Sequence, residues 1–255
     1  MDLILFILAG AGVGLAIGIT GVGGGSLMTP LLILFGIPYH VAIGTDLLYA
    51  AFTKMGGALS HHRQRNIDWV LVRRLAAGSI PAAIATTFLL NFVFKSVSNY
   101  GPILTSSLGV MLILTSAVLL FKRRIETIKQ ADPVGSHAGW ITVVSGVVLG
   151  VLVTLSSVGA GAFCAALLLV LYPHLPAMRV VGTDIAHAVP LTLVAGLGHW
   201  LFLGNVDWSL LACLLLGSLP AVHLGAKLGS RIPQRVLQPA LATLLMGLGV
   251  KFAFF

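Results

Sequence analysis

Long apolar runs alternate with short polar breaks along the whole chain. Crossing the hydrocarbon core of a bilayer takes about 20 apolar residues in a helix. Eight stretches meet or approach that length: 3–19, 41–60, 75–94, 100–121, 140–155, 180–203, 208–228 and 236–255. Two more runs, 27–36 and 162–172, are too short to cross unaided, and each directly follows a glycine-rich turn. The pattern predicts an all-α polytopic membrane protein with about eight transmembrane helices and two short half-helices.

The order of long helix, glycine turn and short helix occurs twice, and the match extends further. Val22-Gly23-Gly24-Gly25 recurs 136 residues later as Val158-Gly159-Ala160-Gly161. Gly44-Thr45-Asp46 recurs as Gly182-Thr183-Asp184 at an offset of 138. Asn66-Ile67-Asp68-Trp69 recurs as Asn205-Val206-Asp207-Trp208, and Gly78-Ser79-Ile80-Pro81 as Gly217-Ser218-Leu219-Pro220, both at 139. Four collinear matches predict two homologous membrane repeats, 1–121 and 139–255, joined by a basic cytoplasmic linker, 122–138.

Charge orients these halves. Arg63, Arg65, Arg73 and Arg74 place the 61–74 loop in the cytoplasm by the positive-inside rule, and Lys122, Arg123, Arg124 and Lys129 do the same for the linker. The second-half counterpart of the 61–74 loop, Gly204-Asn205-Val206-Asp207, has no basic residue, whereas the next loop carries Arg231 and Arg235. Equivalent loops therefore face opposite sides, the signature of inverted-topology repeats. Both termini are expected outside. Trp69, Trp140, Trp200 and Trp208 all fall at segment ends, where indoles favour the interface.

Composition agrees. The 255 residues are 58% hydrophobic and 9% charged, with a mean hydropathy of +1.04, whereas a soluble domain needs roughly 25% charged residues. The formal charge of +8 sits in clusters between apolar runs, as membrane anchors do, which argues against a nucleic-acid partner. Cys164 and Cys213 both lie in apolar runs, with no CxxC and no metal-ligand spacing. No cofactor or metal is expected. Residues 3–19 follow Asp2 without a basic n-region, and read as a membrane segment rather than a cleaved signal peptide. A multi-pass protein of a bacterial inner membrane is expected, and homo-oligomers are compatible with it.

Two sets of residues carry candidate chemistry. The first is the pair of glycine turns. Thr20, Gly23, Gly24, Gly25 and Ser26 open the first short helix, and Ser156, Ser157, Gly159 and Gly161 open the second. Bare backbone N–H groups and a helix N-terminus attract an anion without a buried cation. The competing reading is that the glycines only permit close helix crossing. The second set is ionisable residues within apolar segments, where charge is costly. Lys54 lies in mid-segment as an attractor for an anion or a counter-ion to Asp46. Asp46, Asp184 and His187 are candidates for proton coupling, against a plainer reading of the two aspartates as first-turn residues near the interface. His61 and His199 align near segment ends and read as interfacial. The aspartates of Asn-x-Asp-Trp are expected to cap the helices that follow.

The duplicated glycine turn with its short helix, followed by Gly-Thr-Asp and Asn-x-Asp-Trp, resembles the sulfite exporter TauE/SafE family of membrane permeases over about residues 5–253. The first half matches through Gly21-Val22-Gly23-Gly24-Gly25. The second departs from it, with Ala160 and Ala162 in place of glycines and no proline matching Pro30. The resemblance implies transport of small anions, with sulfite, sulfonates and related sulfur compounds as the substrate class. A secondary carrier that exports them by alternating access fits the absence of GxxxxGK[ST]. An anion channel shares these features. An intramembrane hydrolase using Ser26 with His187 or His199 is the more distant alternative, since Ser26 aligns with Ala162 and no GxSxG occurs.

Overall fold

A computed structural model describes residues 3–20, 25–94, 97–127, 138–229 and 234–254. Most of the described residues lie in ten helices: α1 Leu3–Thr20, α2 Gly25–Leu34, α3 Tyr39–Arg63, α4 Trp69–Leu89, α5 Val97–Thr127, α6 Ala138–Ser156, α7 Ala162–Leu171, α8 Ala177–Leu203, α9 Trp208–Gly229 and α10 Gln234–Phe254. A single π-turn, Leu90–Phe94, prolongs α4. The molecule is a polytopic helical membrane protein. Among the described residues five helices are long and apolar enough to cross a bilayer by length and composition. α1 and α10 contribute shorter apolar runs, Leu3–Ile19 and Pro239–Phe254. At 1.5 Å per residue, α2 and α7 reach only about 15 Å, half of the hydrocarbon thickness.

The helix boundaries have local causes. Asp68 caps α4, its carboxylate accepting from the N–H groups of Val70 at 3.1 Å and Leu71 at 3.2 Å. Asp207 accepts likewise from the Leu210 N–H at 3.0 Å, so both Asn-x-Asp-Trp aspartates bond to the first turns of the following helices. Pro38 and Pro176 precede α3 and α8, where a missing N–H is harmless. α8 ends on Gly204 in the left-handed conformation that glycine adopts without strain. α6 ends differently. Its final turn is closed by Ser157, at a φ of +57°.

Packing interlaces the two parts of the chain. α1 lies along α9 and α6 along α4, each pair running parallel at close range. A Cβ on Gly14 would stand 2.8 Å from the Ser218 Cα, and one on Gly150 would stand 2.8 Å from the Ser79 Cα. Only a glycine admits such backbone contact. α3 and α8 run antiparallel through the middle. The start of each meets the turn after the other: the Asp207 N–H donates to the Thr45 hydroxyl at 3.1 Å, and the Asp68 N–H to the Thr183 hydroxyl at 2.9 Å. Gly44 abuts the Asn205 carbonyl, and Gly182 the Asn66 carbonyl.

Two apolar clusters flank this central pair. One joins α1, α2, α3 and α9 through Val13, Met28, Leu32, Leu48 and Leu214. The other joins α4, α6, α7 and α8 through Leu75, Leu149, Leu168 and Val180. α5 and α10 run antiparallel along the side, held by the Ser116 hydroxyl on the Ala242 carbonyl at 2.6 Å. Their apolar face covers Val158 of the second glycine turn and Leu27 of α2. The outer surface is apolar. Ile4, Phe92, Trp140 and Leu216 are between 61% and 73% exposed, which water would penalise and lipid does not.

Candidate transport site

The charged residues expected within apolar segments converge at the centre, between α2, α3, α7 and α8. Asp46, Lys54, Asp184 and His187 are all buried. The Lys54 ammonium donates to the Ala160 carbonyl in the second glycine turn. From there it acts electrostatically on Asp184 and, more weakly, on Asp46. Asp46 Oδ2 accepts from the Thr29 hydroxyl of α2 at 2.5 Å. Asp184 faces the Cys164 thiol of α7. His187 sits one helical turn further, with Nε2 2.8 Å from the Ser79 hydroxyl and Nδ1 3.9 Å from the Cys164 sulfur.

The two aspartates are not first-turn residues. α3 and α8 begin at Tyr39 and Ala177, about two turns earlier, because the prolines start both helices sooner than hydropathy alone indicates. Asp46 and Asp184 are therefore carried into the buried middle. Burying a carboxylate there is costly unless it is paired and hydrogen-bonded. Among the described residues each nevertheless keeps one oxygen, Oδ1, without a hydrogen-bond partner, and the Ser157 hydroxyl has none either. Ser157 faces Asp46. Unpartnered buried polar atoms grouped around one cation are the mark of a place for a polar ligand.

The second glycine turn is described in full. The Ser156 hydroxyl donates to the Leu152 carbonyl at 2.6 Å and accepts from the Val158 N–H at 3.1 Å, so it holds the turn together and is not free for a ligand. Gly159, at a φ of +110°, lies against the Met111 methyl. Its carbonyl accepts from the N–H groups of Gly161 at 2.8 Å and Cys164 at 3.3 Å. Gly161 is the N-cap of α7 and supplies no side-chain cap, which leaves the positive end of that helix dipole turned into the turn. In the first turn, Gly23 and Gly24 lie outside the described residues. Thr20 closes α1, while Gly25 opens α2 and Ser26 follows it; the side chains of Thr20 and Ser26 are outside the described set.

His199 is not interfacial. It is fully buried and its Nε2 lies 3.0 Å from the Thr154 carbonyl, because α8 carries it behind α6. Sequence reasoning gave no role to Thr29, Thr45, Thr183 or Ser79. Thr45, Thr183 and Ser79 sit inside the repeated motifs, which was the available signal. Thr29 has none, since its second-half counterpart is an alanine, Ala165. The groove of about 360 Å³ between α6 and α7, lined by Trp140, Val144, Ser145, Val148, Phe163 and Leu167, is largely apolar, with the Ser145 hydroxyl and no charged residue in its lining.

Apolar outside and ionisable within, with its charges gathered at the break between two helices, the molecule has the build of a multi-pass membrane transporter. Comparison with known proteins narrows this. The model of the family described as Sulfite exporter TauE/SafE matches residues 6–252, and the chain belongs to that family. It is 39% identical to the probable membrane transporter protein YjnA of Bacillus subtilis (strain 168), over 96% of this chain and 97% of that one. It is 31% identical to the probable membrane transporter protein YdhB of the same strain, covering 96% and 98%. A third relative, the probable membrane transporter protein MJ0441 of Methanocaldococcus jannaschii, is 25% identical over 96% and 93%. No solved structure matches the chain.

Proposed function

We propose that the protein is a secondary carrier for small anions of the sulfite and sulfonate class, working by alternating access in a bacterial inner membrane. The observation that carries the reading is the Lys54 ammonium. It reaches from α3 onto the Ala160 carbonyl, beside buried polar atoms that lack partners. A cation at the break between α6 and α7 draws in an anion, and the α7 N-terminus adds to its field. The membrane potential, negative inside, favours export by about 2.3 kcal/mol per charge per 100 mV.

Eight transmembrane helices and two half-helices in two inverted repeats, 1–121 and 139–255 with the linker 122–138, account for the paired contacts. Thr45 with Asp207 and Thr183 with Asp68 exchange under the sequence offset, and so do Gly14 with Ser218 and Gly150 with Ser79. The antiparallel course of α3 and α8 favours inversion over simple duplication. Because α9 belongs with α1 and α4 with α6, each moving body draws one helix from the other repeat. Access then alternates by motion of the α1–α2–α3–α9 bundle against the α4–α6–α7–α8 bundle, around Lys54.

The test is uptake and counterflow in proteoliposomes with sulfite, thiosulfate, a short sulfonate and a carboxylate control. Saturable, counterflow-competent flux of the sulfur anions is expected. Fast, non-saturating flux would make the protein a channel, and flux of none of them would remove the substrate class. Turnover of an anion into a new compound would point instead to an enzyme.

A further inference from the structure

We propose that binding of the anion is linked to uptake of one proton by Asp184. The inference rests on the anion-carrier reading and deepens it. Around the site stand two carboxyls, Asp46 and Asp184, and one ammonium, Lys54, all buried. With both carboxyls ionised the site is already negative by one charge, and an arriving monoanion would double that in a medium where unbalanced charge is not tolerated. A proton on one carboxyl offsets the anion's charge, so the net charge stays at minus one on binding. It also changes what that carboxyl offers: an ionised group only accepts hydrogen bonds, whereas a protonated one can donate to an oxyanion.

The geometry assigns the proton to Asp184. Asp46 keeps a strong donor, the Thr29 hydroxyl at 2.5 Å, and a donated hydrogen bond suits a carboxylate that only accepts. Among the described residues Asp184 has a thiol, Cys164, as its donor and Lys54 as its counter-charge. The same Lys54 is the group the anion must engage. As the anion takes Lys54, Asp184 loses its stabilising cation, picks up a proton from whichever aqueous side the site is open to, and turns Oδ1 from a repelling acceptor into a donor. The carboxylate and proton become a carboxylic acid, and no other bond changes. The other titratable groups facing the pair are Cys164 from α7, and His187 and Tyr49, each on the same helix as one of the carboxyls. His61, from the end of α3, reaches the α8 backbone at Gly182. His187 has Ser79 on one nitrogen and Cys164 beside the other, which makes it a positioning residue for α4, α7 and α8 rather than the proton carrier.

The experiment is calorimetric titration of the purified full chain with methanesulfonate, an anion that does not itself titrate, from pH 5.5 to 8 in bis-tris propane. The apparent Kd is expected to rise with pH, approaching about tenfold per unit, the limit for one linked proton. Asp184→Asn, which mimics the protonated carboxyl, should bind with a flattened pH dependence, while Asp46→Asn should keep the slope. Uptake of one proton per anion, read with an indicator dye in weakly buffered wild-type protein, is the check that needs no variant. Binding whose affinity is flat with pH in the wild-type chain overturns the linkage and leaves the site standing. A slope that survives Asp184→Asn overturns the assignment. No binding of methanesulfonate or sulfite at any pH overturns the site and the linkage together.

Discussion

Ser157 offers the sharpest separation of structure from function, through Ser157→Gly. The residue closes α6 at a φ of +57°, a conformation that costs a side-chain-bearing residue about 1–2 kcal/mol. Its hydroxyl faces Asp46 without a hydrogen bond of normal geometry among the described residues, so replacing it strands no well-bonded partner. Glycine removes the strain but adds about 0.5–1 kcal/mol of unfolded-state entropy. The net expectation is a gain of about 0.5 kcal/mol, which for a domain of this size is a Tm rise of about 1–2 °C. Thermal unfolding in detergent, followed by fluorescence-detected size exclusion, reads it. Anion affinity should move the other way, falling several-fold as the hydroxyl beside Asp46 is lost. A more stable and less active variant is therefore expected. A variant that loses stability would mean the hydroxyl is bonded after all, and one that keeps wild-type affinity would remove Ser157 from the site.

Gly159→Ala should do the reverse of Ser157→Gly, introducing about 1–3 kcal/mol of strain at a φ of +110° and pushing on Met111; the lower Tm and displaced Ala160 carbonyl would show as reduced flux, and an unchanged Tm would refute the strain. Lys54→Met keeps the stem and removes the charge. Losing a charged hydrogen bond worth about 1.5–3 kcal/mol should raise the KM for sulfite by about tenfold or more, and an unaltered KM would make Lys54 structural. Gly14→Leu and Gly150→Leu meet equivalent backbone atoms, Ser218 and Ser79. Both should destabilise by about 1–3 kcal/mol, to a similar extent, and a large inequality in Tm would argue against equivalent interfaces.

How much of this was legible beforehand follows from the physics of each feature. Helix positions were, because burial in lipid demands long apolar runs, and every expected segment corresponds to a helix. Helix starts were less so. α4 begins at Trp69 rather than 75 because Asp68 caps it, and the polar first turns of α3 and α8 hide from hydropathy behind Pro38 and Pro176. Lys54, Asp46, Asp184 and His187 announced themselves by their cost in an apolar run. What they touch did not, because Lys54 meets Ala160 across 106 residues of sequence and Ser79 meets His187 across 108. Ser156 was grouped with Ser157 as a ligand candidate. Only geometry separates the hydroxyl spent on its own turn from the one left free.

The lengthwise pairing of α1 with α9 also sets a timetable for biogenesis. α1 is made before α9, and at about 5–20 residues per second roughly 10 to 40 s pass between them. Through that interval the small-residue groove at Gly10 and Gly14 is complete but empty, with lipid in the place that Leu214 and Ser218 will take. Each helix survives alone because its backbone is satisfied internally, so insertion runs ahead of assembly. Closure comes only when α9 threads beside α1 and α10 beside α5. A nascent chain interrupted before residue 208 would thus leave the Gly10 and Gly14 groove of α1 without the helix that fills it.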